Sequence, residues 1–280
     1  MRRVLFFICV ACFASGFSPY EVHAKKTFVK LAGSSTVLPI IVRAAEVFSS
    51  HNLDIQVMVN PGGSGVAVKS VGHGLVHIGM MSRDILDSER EGFPKAEFET
   101  HVIGRDVIAC VISSEIRDAG VTTISKENIK KIYLGEINNW IDVGGPDREI
   151  VAIDKEFHRG TRHVFMQYLF GQSKVKTPGT DLVTGSNNEQ YTKVSLSDSA
   201  IGMLSYAWLD NDVVGVGIRD GDDVFNPTKS SIEDNSYPIV RDLTLITNGS
   251  ATSAANQFIQ FLLSPSGQRL VAEMGYLPIQ

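Results

Sequence analysis

Two lobes of α/β architecture, each a mixed sheet flanked by helices and joined by two crossing strands, are predicted by three observations. Strand and helix signals alternate along the chain. Three glycine- or hydroxyl-rich loops each open a helix. Two long extended segments bracket the middle of the sequence.

The elements justify themselves in order. Arg2 and Arg3 precede an apolar run from Val4 to Phe13 that is too short to span a bilayer, and Val22-His23-Ala24 offers small residues for cleavage. Residues 1–24 therefore read as a secretory signal, which puts the mature protein in the periplasm. Cys12 raises a lipoprotein alternative, weakened by Cys9 three residues before it. Cleavage leaves Cys110 as the one cysteine; it stands in a β-branched apolar run and reads as a core thiol.

Phe28 to Ala32 reads as a strand and Val37 to Ser49 as an amphipathic helix. Ile55, Val57 and Val59 alternate as a half-buried strand. Val66 to Val71 is a short helix stopped by Gly72 and Gly74, and His77 to Met81 is a short strand. Val102 to Ile112 is long and extended, as is Tyr237 to Ile246. Between them lie Ile129 to Leu134, Ile150 to Ile153 and a helix from about Thr161 to Phe170. Ala254 to Leu263 and Gln268 to Met274 carry helical periodicity. Two crossings give a discontinuous first lobe, 25–104 with 238–280, and a continuous second lobe, 105–237.

The three loops are Gly33-Ser34-Ser35-Thr36, Gly62-Gly63-Ser64-Gly65 and Arg159-Gly160-Thr161. A helix N-terminus presents backbone N–H groups and about half a positive charge, and so favours an anion. Three of them suggest a cleft where helix ends converge on a small oxyanion. Ser35, Thr36, Ser64 and Thr161 are the candidate ligand hydroxyls; the bland alternative is that they only cap their helices. In the first loop, Ser34, Ser35 and Thr36 are equally placed to point inward.

A net charge of −5 and the lack of a basic run argue against a nucleic-acid partner. His73 and His77 are four apart, but Gly72 and Gly74 break the helix that would bring them together, so no metal is expected, and no cofactor. Gly62-x-Ser64-x-Val66 lacks the last glycine of a nucleophile elbow, which disfavours an exported phosphoesterase. Trp140 and Trp208 read as core or lobe-surface residues.

Several motifs resemble the phosphate-binding proteins of bacterial ABC transporters, which have the type II periplasmic-binding-protein fold. They are Ala32-Gly33-Ser34-Ser35-Thr36-Val37-Leu38-Pro39, Pro61-Gly62-Gly63-Ser64-Gly65, His77 to Arg83, Tyr133 to Trp140, Tyr237-Pro238-Ile239-Val240-Arg241 and Ser264-Pro265-Ser266-Gly267-Gln268. The resemblance implies a monomeric, non-enzymatic carrier of inorganic phosphate that serves a membrane permease. A sensor, or a carrier of another tetrahedral oxyanion such as sulfate, is the alternative. It also implies that Ser82 and Arg83, after a strand end, face the anion, as do Lys155, Gly160 and Thr161. Asp84 either accepts a phosphate proton or caps a helix over Ile85 to Glu91.

One loop departs from the family pattern of an arginine followed by Gly-Ser-Gly-Thr. Here Lys155 stands for the arginine, and His158-Arg159 replace Gly-Ser. A guanidinium at a helix N-terminus is unfavourable unless an anion sits against it, so Arg159 is expected to face the ligand, with a pair to Glu156 as the alternative. Arg162 is expected to face away.

Overall fold

The computed structural model describes residues 26–279; the expected signal sequence, with Cys9 and Cys12, lies outside them. The chain runs β1 (Thr27–Gly33), α1 (Leu38–His51), β2 (Ile55–Pro61), α2 (Ser64–Gly72), β3 (Ile78–Met81) and a short α3 (Asp87–Glu91). The sixteen-residue β4 (Phe98–Ser113) follows. Then come α4 (Ser114–Asp118), β5 (Thr123–Ser125), α5 (Lys126–Leu134), β6 (Val151–Lys155), α6 (Gly160–Phe170), β7 (Leu182–Thr184), α7 (Asn187–Ser195) and β8 (Ala200–Ser205). The chain closes with β9 (Val213–Gly215), β10 (Gly217–Asp220), β11 (Asp223–Phe225), α8 (Lys229–Glu233), β12 (Val240–Asn248), α9 (Ser253–Leu263) and α10 (Pro265–Glu273).

Strand β4 belongs to both lobes. The sheet order is β2-β1-β3-β12-β4-β8-β6-β7, and β9 adds to β4. Residues Phe98 to Val107 of β4 pair antiparallel with β12, and Ile108 to Ile112 pair with β8. Parallel pairing of β1 with β2 and β3 on one side, and of β6 with β7 and β8 on the other, brings each of those strands to its carboxyl end near the junction. Ligands of open α/β sheets sit beyond such ends. A small sheet, β11-β10-β5, completes the second lobe.

Each lobe has its own core. Leu31, Ile40, Ile41, Leu245 and Phe258 pack α1 and α9 onto the first half of the sheet. Ile108, Cys110, Tyr133, Trp140 and Phe165 fill the second lobe. Cys110 is fully buried, and burial pushes its thiol far above the ordinary value. Trp140 is core, with Nε1 donating to Ser199 O at 2.9 Å.

The second crossing differs from the expected strand at its start. Tyr237 to Ile239 are outside the strand, and β12 begins at Val240. Pro238 has no N–H to give to a ladder. Tyr237 and Ile239 instead pack into the second lobe's core, and Ile239 O accepts Ile108 N at 2.9 Å. Asp84 is not a helix cap: α3 begins at Asp87 with Leu86 before it, and the exposed Asp84 stands two residues further back.

Candidate functional site

Gly33 sets the geometry of the first loop. Its φ of +138° is a conformation open mainly to glycine, and a Cβ there would run into Met80 O and lie 2.7 Å from Ala67 Cβ. The chain can therefore leave β1 pressed against β3 and α2. Gly33 O accepts Gly62 N at 2.7 Å and Gly63 N at 2.8 Å, lacing the first loop to the second.

Hydroxyls from four loops then meet. Ser34 Oγ donates to Ser82 Oγ at 2.8 Å, and Ser82 N donates to Ser64 Oγ at 3.1 Å. Thr36 and Thr161, from opposite lobes, have their hydroxyls 3.4 Å apart. Ser34, Thr36, Ser64, Ser82 and Thr161 are all buried; Ser35 is half-buried and its Oγ accepts Asn187 N at 3.4 Å. A Cβ on Gly160 would overlap Ser82 Oγ and lie 2.7 Å from Ser64 Oγ, so α6 begins hard against the first lobe's hydroxyls.

The capping alternative fails for these residues. α1, α2 and α6 start at Val37, Gly63 and Arg159 without a side-chain cap. α5, α7, α9 and α10 are capped by Ser125, Ser186, Thr252 and Ser264. The three helices that open toward the hydroxyl cluster thus leave their positive ends to one another and to whatever enters between them.

The cations divide. Lys155 is 2% exposed, and among the described residues its Nζ has one hydrogen-bond partner, Ser186 O at 3.2 Å. Burial, then the nearby Arg159 and Arg241 guanidinium groups, hold its pKa well below the usual lysine value. Arg83 is not turned on the cluster. Its guanidinium grips Glu89 through two bonds, at 2.7 and 2.8 Å, and donates to Asp84 O at 2.6 Å. Burial opposes ionisation of Glu89, but the bonds from Arg83 and the Leu86 N–H outweigh it and hold that carboxyl below its ordinary value. Arg159 likewise gives Nη2 and Nε to Glu156 Oε2, at 2.6 and 2.8 Å, which is the alternative pairing rather than the expected anion-facing one. The structure offers a reason: Arg159's stem lies on Gly63, so Glu156 is the carboxylate its head reaches. Arg162 points into the second lobe, bonding Asp154 at 3.0 Å and the carbonyls of Ser173 and Val175.

Arg241 is the residue the sequence reading passed over. It donates to Asp106 Oδ2 at 2.6 and 3.0 Å, to Thr36 Oγ1 at 3.1 Å and to Ser82 O at 3.2 Å, so one side chain ties two of the four hydroxyl loops to the crossing strands. Asn187 was also missed; its Nδ2 donates to Thr36 Oγ1 at 3.0 Å from the start of α7. The available signals were an arginine inside an apolar crossing segment, and Ser186-Asn187 as a fourth polar opening to a helix.

Both buried carboxylates at the site are occupied by protein donors. Asp106 Oδ1 accepts Ser205 Oγ at 2.6 Å while Oδ2 takes Arg241; burial raises its pKa against these stabilising contacts. Asp154 takes Arg162, Thr177 Oγ1 at 2.8 Å and Lys155 N at 2.6 Å. Of the buried cationic side chains, Arg83 is matched by Glu89, Arg162 by Asp154 and Arg241 by Asp106, which leaves Lys155 without a carboxylate partner among the described residues. Lys155, whose charged form burial disfavours until an anion arrives, thus stands beside a ring of hydroxyls and helix N-termini, an arrangement suited to an oxyanion. His73 and His77 serve elsewhere, one edge-on to Phe93 and the other accepting Lys30 N at 3.0 Å.

Comparison with known proteins agrees with this chemistry. Residues 20–266 match the PBP superfamily domain. The chain is 31% identical over 250 residues to the phosphate-binding protein PstS of Bacillus subtilis, covering 89% of this chain and 80% of that protein. It is 31% identical over 259 residues to PstS of Borreliella burgdorferi, covering 90% of each. A putative phosphate ABC transporter substrate-binding protein from Clostridium perfringens, solved with bound phosphate, superposes with a TM-score of 0.81 at 27% identity, over 91% of this chain and all of that one. An ABC-type phosphate transport receptor from Vibrio cholerae gives a TM-score of 0.70, also at 27% identity, over 90% of this chain and all of that one. With its two-lobed α/β fold, this chain belongs to the PBP superfamily and, within it, to the family of PstS-type phosphate-binding proteins.

Proposed function

We propose that this protein captures inorganic phosphate between its lobes and hands it to the permease of an ABC transporter, without bond chemistry of its own. The observation that carries this reading is the meeting of buried hydroxyls from both lobes at three uncapped helix N-termini, beside the buried Lys155. Ser34, Ser35, Thr36, Ser64, Ser82, Gly160 and Thr161 would ring the anion, with Lys155 as its point charge. Arg241 and Asn187, which hold the Thr36 hydroxyl, extend the set. Arg83 and Arg159 act through the carboxylates they hold, a revision of the direct contacts expected of them.

The remaining assignments rest on the same reading. The lobes are 25–104 with 238–280, and 105–237, and the protein works as a monomer in the periplasm after loss of residues 1–24. Relatives named for phosphate and its ABC transport support the ligand and the permease.

The test is a melting-temperature and calorimetry screen of the mature protein against phosphate, sulfate, molybdate and phosphate esters, with a turnover assay alongside. Phosphate should stabilise most, by about 2.7 kcal/mol at a hundredfold excess over Kd. No shift with millimolar phosphate would refute the assignment; a larger shift with sulfate would move it to another oxyanion.

A further inference from the structure

His158 reaches across the cleft. Its Nε2 lies 3.0 Å from Gly62 O, and its own carbonyl accepts Gly65 N at 3.2 Å. These bonds join the β6–α6 loop of the second lobe to the β2–α2 loop of the first. The receiving loop is shaped for them: a Cβ on Gly65 would lie 3.0 Å from His158 Cβ, and one on Gly63 would lie 3.1 Å from His158 Cδ2. On its own side, the imidazole is backed by Glu156, whose Oε2 is 3.4 Å from Nε2 and is already held by Arg159 at 2.6 Å. A bond to a carbonyl places hydrogen on Nε2.

The gripped loop is one that matters. Gly62 and Gly63 donate to Gly33 O, and Ser64 opens α2 with its hydroxyl on Ser82 N. Holding Gly62 O therefore holds the first and second anion loops together in the closed arrangement. Residue 158 is also where this sequence has histidine rather than the small residue of the resembling family's Gly-Ser-Gly-Thr turn.

We propose that His158 is a clasp: a positioning residue that favours the closed lobes and lengthens the stay of the bound anion, without touching that anion. As a statement about phosphate, this rests on the functional reading above. A contact made only on closure acts on release and leaves capture by the open form unchanged.

The experiment uses the mature protein, wild type, His158→Ala and His158→Gln. Stopped-flow kinetics should show phosphate leaving His158→Ala about two- to tenfold faster, the worth of one net hydrogen bond, with the association rate unchanged. His158→Gln keeps a donor at similar reach and should return most of the difference. A merely structural role would lower stability in both variants without splitting the two rates. A second readout needs no ligand: dyes on Leu53→Cys and Leu196→Cys, which are 81% and 83% exposed on the two lobes, report lobe separation. His158→Ala should lower the closed fraction. If the wild type takes up no phosphate, the functional reading falls and the clasp is judged on lobe separation alone. Equal release rates, or equal dye separations where phosphate does not bind, overturn it.

Discussion

Arg241→Met should be among the most costly single substitutions in the protein. Arg241 and Asp106 are a fully buried pair, with side chains 3% and 2% exposed and a shortest contact of 2.6 Å. Among the described residues, removing the guanidinium leaves Asp106 with Ser205 as its one side-chain donor, takes the donor from the Ser82 carbonyl, and leaves the Thr36 hydroxyl with Asn187 as its one nitrogen donor. Breaking a buried pair on one side typically costs about 3–5 kcal/mol. At roughly 2–4 °C per kcal/mol for a chain of this size, Tm should fall by about 6–20 °C. The single variant mixes a lost cation with an orphaned anion, so the informative comparison is Arg241→Met with Asp106→Asn. The amide that replaces the carboxylate can still accept from Ser205, and the double variant should regain most of the stability. It should stay weaker than wild type for phosphate, because the Arg241 bonds that hold Thr36 and the Ser82 carbonyl in place are still missing. Urea unfolding at pH 7.5 and phosphate calorimetry on all three proteins measure both quantities. Acid should also narrow the gap: burial already raises the Asp106 pKa against the opposing pull of Arg241, so without Arg241 it is raised further, and the cost of the charged form is relieved in the variant at a higher pH than in wild type. A single variant within about 1 kcal/mol of wild type, or a double variant no more stable than the single, would refute the account of the pair.

Gly160→Ala should weaken phosphate binding and keep ligand-free stability near wild type, because the added methyl meets Ser64 and Ser82 only when the lobes are together; scattering should show no compaction with phosphate. Ser64→Ala and Thr161→Val should each lose ~1–3 kcal/mol of phosphate affinity by calorimetry; Thr161→Val should do so with little change in Tm, since that hydroxyl does not cap its helix, whereas Ser64→Ala should also lower Tm, because the buried Ser82 N–H loses its acceptor. Lys155 should gain a proton as phosphate binds. Its folded pKa is depressed, so the charged lysine costs stability below that value, and the cost fades as pH rises from there toward 10.5. Within this window calorimetry in buffers of different ionisation enthalpy should detect proton uptake on binding, and Lys155→Met should abolish it.

The strands and long helices were legible because their signals are local. The alternation of Ile55, Val57 and Val59 and the periodicity from Val37 to Ser49 are fixed by which side of one element is buried. The hydroxyl loops were legible too, since glycine and serine before an apolar run mark a helix opening whatever surrounds it. The cations were not. Whether Arg83 turns to an anion or to Glu89, and Arg159 to an anion or to Glu156, depends on carboxylates brought close by three-dimensional folding or by loop shape. Arg241 lay hidden for the opposite reason. Its partners, Thr36 and Asp106, are 205 and 135 residues away, and no spacing rule reaches that far.

The place of β12 in the sheet sets the order in which this chain can fold. It lies between β3 and β4, yet it begins at Val240, after the whole second lobe has been written. A chain emerging N-terminus first would carry β1 to β3 with one flank of β3 unpaired and apolar, while every strand of the second lobe is already at hand. The contiguous lobe can thus condense first. The other must wait for its keystone to arrive from near the C-terminus, a long-range closure of the kind that slows folding and exposes strand edges. A truncation before Val240 should consequently leave the second lobe's core ordered and turn the N-terminal portion into a substrate for chaperones and proteases.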